Sequence, residues 1–123
     1  MRFSRVWTDA DGESRLEWLT PEFGDTENYA QGVPVVGTSK RLPAGEAHFL
    51  RFPAGWVGDW HPAPARQFWA LLEGTVGVET ADGEETLVPG DCGLLEDTTG
   101  KGHRSWAVGD QAAVLVMVTL AEE

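Results

Sequence analysis

Residues 55–74 read GWVGDWHPAPARQFWALLEG and decide the fold that this sequence predicts. Within the stretch, Gln67, Trp69 and Leu71 alternate with Phe68 and Ala70. Successive side chains of a strand point to opposite faces of a sheet, so the first three would share one face and the other two the opposite face. The alternation therefore predicts a half-buried β-strand over residues 67–73.

The rest of the chain is divided into short apolar pieces by 15 glycines and 7 prolines. Such spacing predicts many short strands joined by turns, and the further strands are expected at residues 33–39, 47–52, 75–80, 85–88, 92–96, 103–107 and 113–120. Asp82-Gly83 predicts a tight hairpin, because glycine accepts a positive φ at little steric cost. Sustained helical periodicity is absent, although residues 11–19 would allow one or two helical turns. We therefore expect an all-β sandwich or barrel.

Two short motifs of the chain resemble those of the cupin superfamily. The first family motif is a glycine, five residues, His-x-His, three or four residues, a glutamate, six residues and a glycine. The matching positions here are Gly55, His61, Ala63, Gln67 and Gly74, and the spacing fits without a gap. His61 keeps the first ligand position, whereas Ala63 replaces the second histidine and Gln67 replaces the glutamate.

The second motif is more altered than the first. The family pattern is a glycine, five residues, Pro-x-Gly, two residues and a histidine. Gly90 opens the matching stretch and His103 closes it, with two extra residues between them and Thr98 at the proline position. The resemblance implies a single-domain cupin-like double-stranded β-helix, or jelly-roll barrel, which we assign to residues 33–123. It also implies a homodimer, and it leaves the chemistry open because cupins include oxygenases, isomerases, lyases, storage proteins and sensors.

The first 32 residues are expected to form an N-terminal arm. This segment carries many acidic residues and few apolar runs. Its aromatic residues are Phe3, Trp7, Trp18, Phe23 and Tyr29. We expect the arm to pack these rings against the barrel or against a partner subunit, where it could also add a strand to the neighbour's sheet.

The charge balance bears on the possible partners. Nine Lys and Arg residues against twenty Asp and Glu residues give the 123-residue chain a formal net charge of −11. Such a charge repels nucleic-acid phosphates and anionic lipids, so we expect neither as a partner. The sequence has no apolar run that would span a membrane or act as a signal peptide, and we expect a cytoplasmic protein. Cys92, the only cysteine, is expected to be a small buried hydrophobe.

The family's ligand positions here hold two imidazoles and one amide, from His61, Gln67 and His103. The set implied by the resemblance would hold a divalent transition metal, Fe, Zn, Ni, Mn or Cu. Binding would be weaker than by the family's three imidazoles and one carboxylate, since no ligand here carries a negative charge. The competing interpretation is that His61 and His103 are hydrogen-bonded histidines in a barrel that binds only an organic ligand.

Aromatic side chains cluster around the first motif. Trp56, Trp60 and Trp69 would line a cavity for a hydrophobic or ring-containing molecule, although core packing would explain each of them singly. His48 alternates with apolar residues, so it is either a replacement donor in that cavity or a partly exposed strand histidine. Lys101, just before the second-motif histidine, would make the cavity mouth favourable to an anionic substrate.

Two acidic residues, Glu96 and Asp97, lie in the loop that leads to His103. A carboxylate beside a histidine orients the ring and stabilises its charged form, which is what general base catalysis needs. We nevertheless expect both acids to be solvated surface charges.

Three functions remain open for a protein that binds a small organic molecule in its barrel. The first is a metal-dependent enzyme of oxygenase, isomerase or lyase type. The second is a metal-independent enzyme in which His61 or His103 acts as acid or base, while Lys101 or Arg66 holds an anionic group. The third is a non-catalytic binding or sensing module.

Overall fold

The computed structural model describes residues 1–27 and 30–122, and its regular structure is β throughout. Tyr29, one of the aromatic residues assigned to the arm, lies outside the described residues. The strands are β1 Phe3–Thr8, β2 Ser14–Leu19, β3 Asp25–Glu27, β4 Val36–Thr38, β5 Ala44–Phe52, β6 Gln67–Glu73, β7 Val76–Thr80, β8 Gly83–Leu87, β9 Cys92–Leu95, β10 Arg104–Ala107 and β11 Ala113–Leu120. Within the described residues, no helix could cross a membrane.

Two sheets enclose the core of the protein. The larger sheet has the order β2-β1-β9-β6-β11-β5, the smaller one has the order β10-β7-β8, and β3 pairs separately with β4. The six-stranded and the three-stranded sheet both contribute to one buried apolar cluster, which contains Trp69, Leu71, Val76, Val78, Leu87, Ala113, Leu115 and Met117. The expected all-β jelly-roll barrel is confirmed.

Strand β6 has the bounds that the sequence predicts. In β6, Trp69 and Leu71 are buried at 4% and 1% exposure, while Phe68 and Ala70 on the other face are half-buried. β6 pairs with β9 on one side and with β11 on the other. The faces inferred from alternation are therefore the faces that the barrel uses.

Other predicted strands have shifted bounds. β11 has the predicted bounds, and the Asp82-Gly83 hairpin joins β7 to β8 with Gly83 at φ 110°. β5 begins three residues earlier than expected. In the region predicted as a strand over residues 33–39, only β4 is regular.

The N-terminal residues supply two strands to the larger sheet. β1 pairs antiparallel with β2 and parallel with β9, which places it inside the sheet. The helical turns considered for residues 11–19 are wrong, because Ser14–Leu19 is strand β2. The reason is the preceding turn, where the Asp9 carboxylate accepts hydrogen bonds from the backbone N–H of Asp11 and Glu13 at 2.9 and 3.0 Å. That turn reverses the chain and sets β2 against β1.

Candidate functional site

Two histidines meet where the segments of the two motifs approach each other. The backbone N–H of His61 donates to the C=O of His103, and the reverse bond is also formed, both at 3.0 Å. The ring centroids lie 5.0 Å apart. Gly102 permits this approach, because its φ is +77° and a Cβ there would collide with the carbonyl group of His61. The structure thus brings together the two histidines singled out in the sequence.

The His61 imidazole is exposed, and a backbone carbonyl orients it. Its Nδ1 lies 2.8 Å from the carbonyl oxygen of Asp59. A carbonyl oxygen only accepts hydrogen bonds, so the Nδ1–H of His61 is the donor. In the neutral ring, Nε2 then keeps its lone pair and can accept a hydrogen bond or bind a metal ion.

The His103 imidazole is buried, and a buried carboxylate orients it. Its Nδ1 lies 2.6 Å from Oδ2 of Asp97, whose side chain is 0% exposed. The other oxygen of Asp97, Oδ1, is buried with no hydrogen-bond partner in the part of the chain that the structure describes. The expectation that Asp97 is a solvated surface charge is therefore wrong. The carboxylate of Asp97 points inward. The backbone carbonyl of the same residue accepts a hydrogen bond of 2.9 Å from the Ala63 N–H.

Glu96 was also expected to be a solvated charge, and this expectation is wrong as well. Its carboxylate accepts a hydrogen bond of 2.6 Å from Nε of Arg5 and one of 2.9 Å from Nε of Arg66. Burial alone would raise the pKa of Glu96, but the hydrogen bonds from the two guanidinium groups outweigh burial and lower it from the usual 4.5. Glu96 thus fastens the loop that carries Asp97 to strand β1.

A cavity of about 470 Å³ opens beside the two histidines. Of the predicted site residues, it is lined by His48, Trp56, His61, Gln67, Trp69 and His103. His48 is exposed, as one of its two interpretations expects, and it also lines the cavity. Phe52 and Trp56 stack with centroids 4.3 Å apart and an interplanar angle of 17°, forming part of the wall. Most of the remaining lining is aliphatic.

Two predicted site residues lie elsewhere. Trp60 and Lys101 are not in the cavity wall formed by the described residues. The ammonium group of Lys101 instead lies 4.8 Å from the centroid of the Trp60 ring, a cation–π distance. Arg66, the other cation considered for holding an anionic group, is bound to Glu96. Cys92, expected to be buried, is half-buried, and burial raises the pKa of its thiol.

Sequence analysis did not assign three contributors to the site. Phe52 shares the cavity-facing side of β5 with His48, so the alternation of that strand would have identified it. Ser105 lies in β10 and lines the cavity together with His103, which directly precedes that strand. Asp97 had no such signal, because it follows another acid and precedes two threonines, which is typical of an exposed loop.

The donor set for a metal ion is small. No group of three or more His, Cys, Asp or Glu side chains suited to a metal occurs within residues 1–27 and 30–122. Gln67 would have to act as the third donor beside His61 and His103. Both histidines do have Nδ1 engaged and Nε2 available, which is the usual arrangement of metal-binding imidazoles. The residues present fit a weakly held ion with three neutral ligands.

Similar solved structures share this architecture. The cupin domain of Schizosaccharomyces pombe Cnp3 has a TM-score of 0.55 and 12% identity, with 99% of this chain and 83% of that chain covered. A cupin domain from Bordetella pertussis Tohama I has a TM-score of 0.50 and 22% identity, with 69% of this chain and 100% of that chain covered. No protein-family model matches the sequence, and no curated protein matches it. At these identities the likeness shows the fold alone.

Proposed function

We propose that this chain, which has the cupin fold, binds a small, mainly apolar organic molecule in its barrel cavity and moves a proton on it with His103. The observation that carries the proposal is the buried pair, in which the His103 ring lines the cavity while Asp97 accepts from its Nδ1 at 2.6 Å. A histidine oriented by a carboxylate is the arrangement expected of a general acid or base.

The proton transfer would use Nε2 of His103. The Nδ1–H bond to Asp97 leaves the Nε2 lone pair free in the neutral ring. When Nε2 takes a proton from a carbon beside a carbonyl group, the C–H bond breaks and the ring becomes an imidazolium. The electron pair of the C–H bond forms a C=C bond to the carbonyl carbon, and the π pair of the C=O bond moves to the oxygen. Asp97 stabilises that charge, and the side-chain amide N–H of Gln67 can donate a hydrogen bond to the enolate oxygen. In a ligand with a β,γ double bond, return of the proton to the γ carbon of the dienolate would complete an isomerisation.

Solvent exchange tests this step without knowledge of the natural substrate. We would incubate the protein in D₂O with 2-tetralone, a neutral ring ketone, and follow deuterium incorporation by NMR. The wild type should accelerate exchange, His103→Ala should abolish the acceleration, and Asp97→Asn should reduce it about 100-fold. Asp110→Asn makes the same change at an exposed position and should leave the rate unaltered. Equal acceleration by wild type and His103→Ala would refute the proposed role of His103.

A weak metal centre at His61, Gln67 and His103 is the second candidate, favoured by the two histidines that both keep Nε2 available. A bound Fe, Zn, Ni, Mn or Cu ion would supply Lewis-acid chemistry there. Calorimetric titration with Zn²⁺ should show binding in the micromolar range that is lost in both His61→Ala and His103→Ala. Exchange of 2-tetralone that persists after chelation would favour the metal-independent function.

A further inference from the structure

The cavity wall contains no charged residue among those that the structure describes. Thirteen of its lining residues are apolar, and the polar ones are Ser4, His48, His61, Gln67, His103 and Ser105. These six supply hydroxyl, amide and imidazole groups. A ligand in this cavity would therefore meet hydrogen-bonding groups and apolar surface, with no Lys, Arg, Asp or Glu side chain as its neighbour.

Three cations of the surrounding segments are engaged with groups outside the cavity wall. Arg5 and Arg66 bind the two oxygens of Glu96, and the Lys101 ammonium lies over the Trp60 ring outside the wall. A carboxylate or phosphate that entered the cavity would lose its hydration without gaining a counter-charge, which opposes its binding. The net charge of −11 further opposes an anion. Lys101 therefore does not supply the cation that the sequence led us to expect at the cavity mouth.

A cationic ligand would also meet no carboxylate in the described cavity wall. The carboxylate nearest to the cavity, that of Asp97, has one oxygen on His103 and no exposed surface. Glu96 is neutralised by its two arginines. An ammonium group would gain only contacts with aromatic faces in exchange for its hydration.

The aromatic part of the wall is suited to a flat ring. Phe52 and Trp56 are stacked nearly parallel, so each covers one face of the other and the pair leaves only its outer faces for a ligand ring, and the buried Trp69 lines the same cavity. Offset stacking on an aromatic face adds to the burial of apolar area. Gln67 and Ser105 add an amide and a hydroxyl that can bind one polar group of the ligand.

We infer that the ligand is an uncharged, ring-containing molecule with a carbonyl or hydroxyl group, and that the cavity rejects carboxylates and ammonium ions built on the same ring. This inference deepens the proposed function and rests on it in placing the ligand in the barrel cavity. Selection comes from the absence of any counter-charge in the wall, while the imidazoles and the amide bind the one polar group.

Three matched probes test the inference by isothermal titration calorimetry at pH 7.5. They are 2-naphthalenemethanol, 2-naphthoate and 2-naphthylmethylammonium, which share a ring system and differ in charge. The alcohol should bind at least ten-fold more tightly than either ion. A carboxylate or ammonium that binds as tightly as the alcohol would overturn the inference.

A gain-of-function variant provides the second arm. His48 is exposed and lines the cavity, so His48→Lys should place an ammonium group at the ligand without disrupting the core. Binding of 2-naphthoate should then tighten at least ten-fold. The matched control is Ala47→Lys, which adds the same charge to the opposite face of β5, also exposed, and should leave 2-naphthoate binding unchanged. Equal effects of the two variants would contradict selection within the cavity.

The outcomes for the inference and for the proposed function are distinct. A preference for the alcohol with no exchange of 2-tetralone supports the inference and refutes the proton transfer. Exchange of 2-tetralone with a preference for 2-naphthoate refutes the inference alone. Failure of all three probes to bind refutes the inference together with the proposed ligand cavity.

Discussion

The segment that carries His61 (residues 55–66) and the loop that carries His103 (residues 96–103) deliver the same side chain to one site by different means. The His61 segment is largely exposed, contains Pro62 and Pro64, and orients its imidazole through a backbone carbonyl. The His103 loop buries both its imidazole and the carboxylate of Asp97. The two histidines are therefore not equivalent: under the proposed function, the buried His103 would transfer the proton and the exposed His61 would contact the ligand.

The neighbours of the His103 loop strengthen the contrast. Strand β1 reaches the loop through the ion pair between Arg5 and Glu96, and Thr8 donates from Oγ1 to the Thr99 carbonyl at 2.9 Å. The turn after β1 adds a hydrogen bond of 3.1 Å from the Lys101 N–H to the Gly12 carbonyl. The N-terminal strand therefore acts as a support for one half of the site.

The strongest test of the contrast is removal of each histidine. His103→Ala leaves the buried Asp97 carboxylate without its partner and should lower the free energy of unfolding by about 3–5 kcal/mol. His61→Ala removes an exposed ring and should cost less than about 1 kcal/mol. Urea denaturation of both variants measures the difference. Adding Asp97→Ala to His103→Ala should restore part of the loss, and two equal single-variant effects would contradict the contrast.

The next test concerns the contact between the two segments. Gly102→Ala adds a Cβ that collides with the His61 backbone at a φ of +77°, and should cost roughly 3 kcal/mol in unfolding free energy. Gly109 has a φ of +76°, and a Cβ added there would meet no other atom, so Gly109→Ala should lower the free energy of unfolding by only about 1 kcal/mol. The two denaturation curves separate the collision from the backbone conformation. Equal costs would show that the approach of the segments does not depend on Gly102.

A smaller effect, about 1 kcal/mol, is expected from the ion pairs of Glu96. Because the folded state lowers the pKa of this carboxyl from 4.5, its ionised form stabilises the fold above that pH, and the contribution is lost as the pH falls below it. Glu96→Gln should remove this part of the acid dependence. Thermal unfolding of the wild type and of Glu96→Gln between pH 3 and 7 measures this contribution. Taking the difference between the two proteins cancels the effects of Asp9 and Asp82, whose pKa values are also lowered. Identical slopes would exclude a role for Glu96 in acid stability.

The smallest expected effect belongs to the His61 segment. Pro62 is exposed, and its ring restricts the unfolded chain as well as the folded one. Pro62→Ala should therefore lower the free energy of unfolding by about 0.4–1 kcal/mol, chiefly through the entropy of the unfolded state. If urea denaturation shows that the free energy of unfolding falls by more than about 2 kcal/mol, the His61 segment is stabilised by tertiary contacts, as the His103 loop is.

Local pattern predicted the strands that supply both the core and the cavity wall. β6 and β11 match their predicted bounds because their alternation is regular and their buried positions are large and apolar. β1 was not predicted, because one of its two inward positions is the small polar residue Ser4 and only the other, Val6, is apolar. The alternation of apolar and polar residues along this strand is therefore weak. Its position in the sheet depends on pairing with β9, which is distant in sequence.

The site was only partly predictable for the same reason. Motif spacing identified His61, Gln67 and His103, and alternation placed Trp69 on the cavity face. The role of Asp97 depends on the fold of its loop, which brings the carboxylate back to His103 six residues later. Local composition indicates an exposed acid there, and only tertiary structure reveals the buried pair.

The place of β11 in the larger sheet has a consequence for biosynthesis. β11 is the last strand along the chain, yet it lies between β5 and β6 and provides Leu115 and Met117 to the cavity wall. At roughly 5–20 residues per second, several seconds of translation separate β5 from β11. During that interval the nascent chain has two strands with open edges and an incomplete ligand cavity. The wall of the cavity is therefore complete only once β11 has emerged from the ribosome.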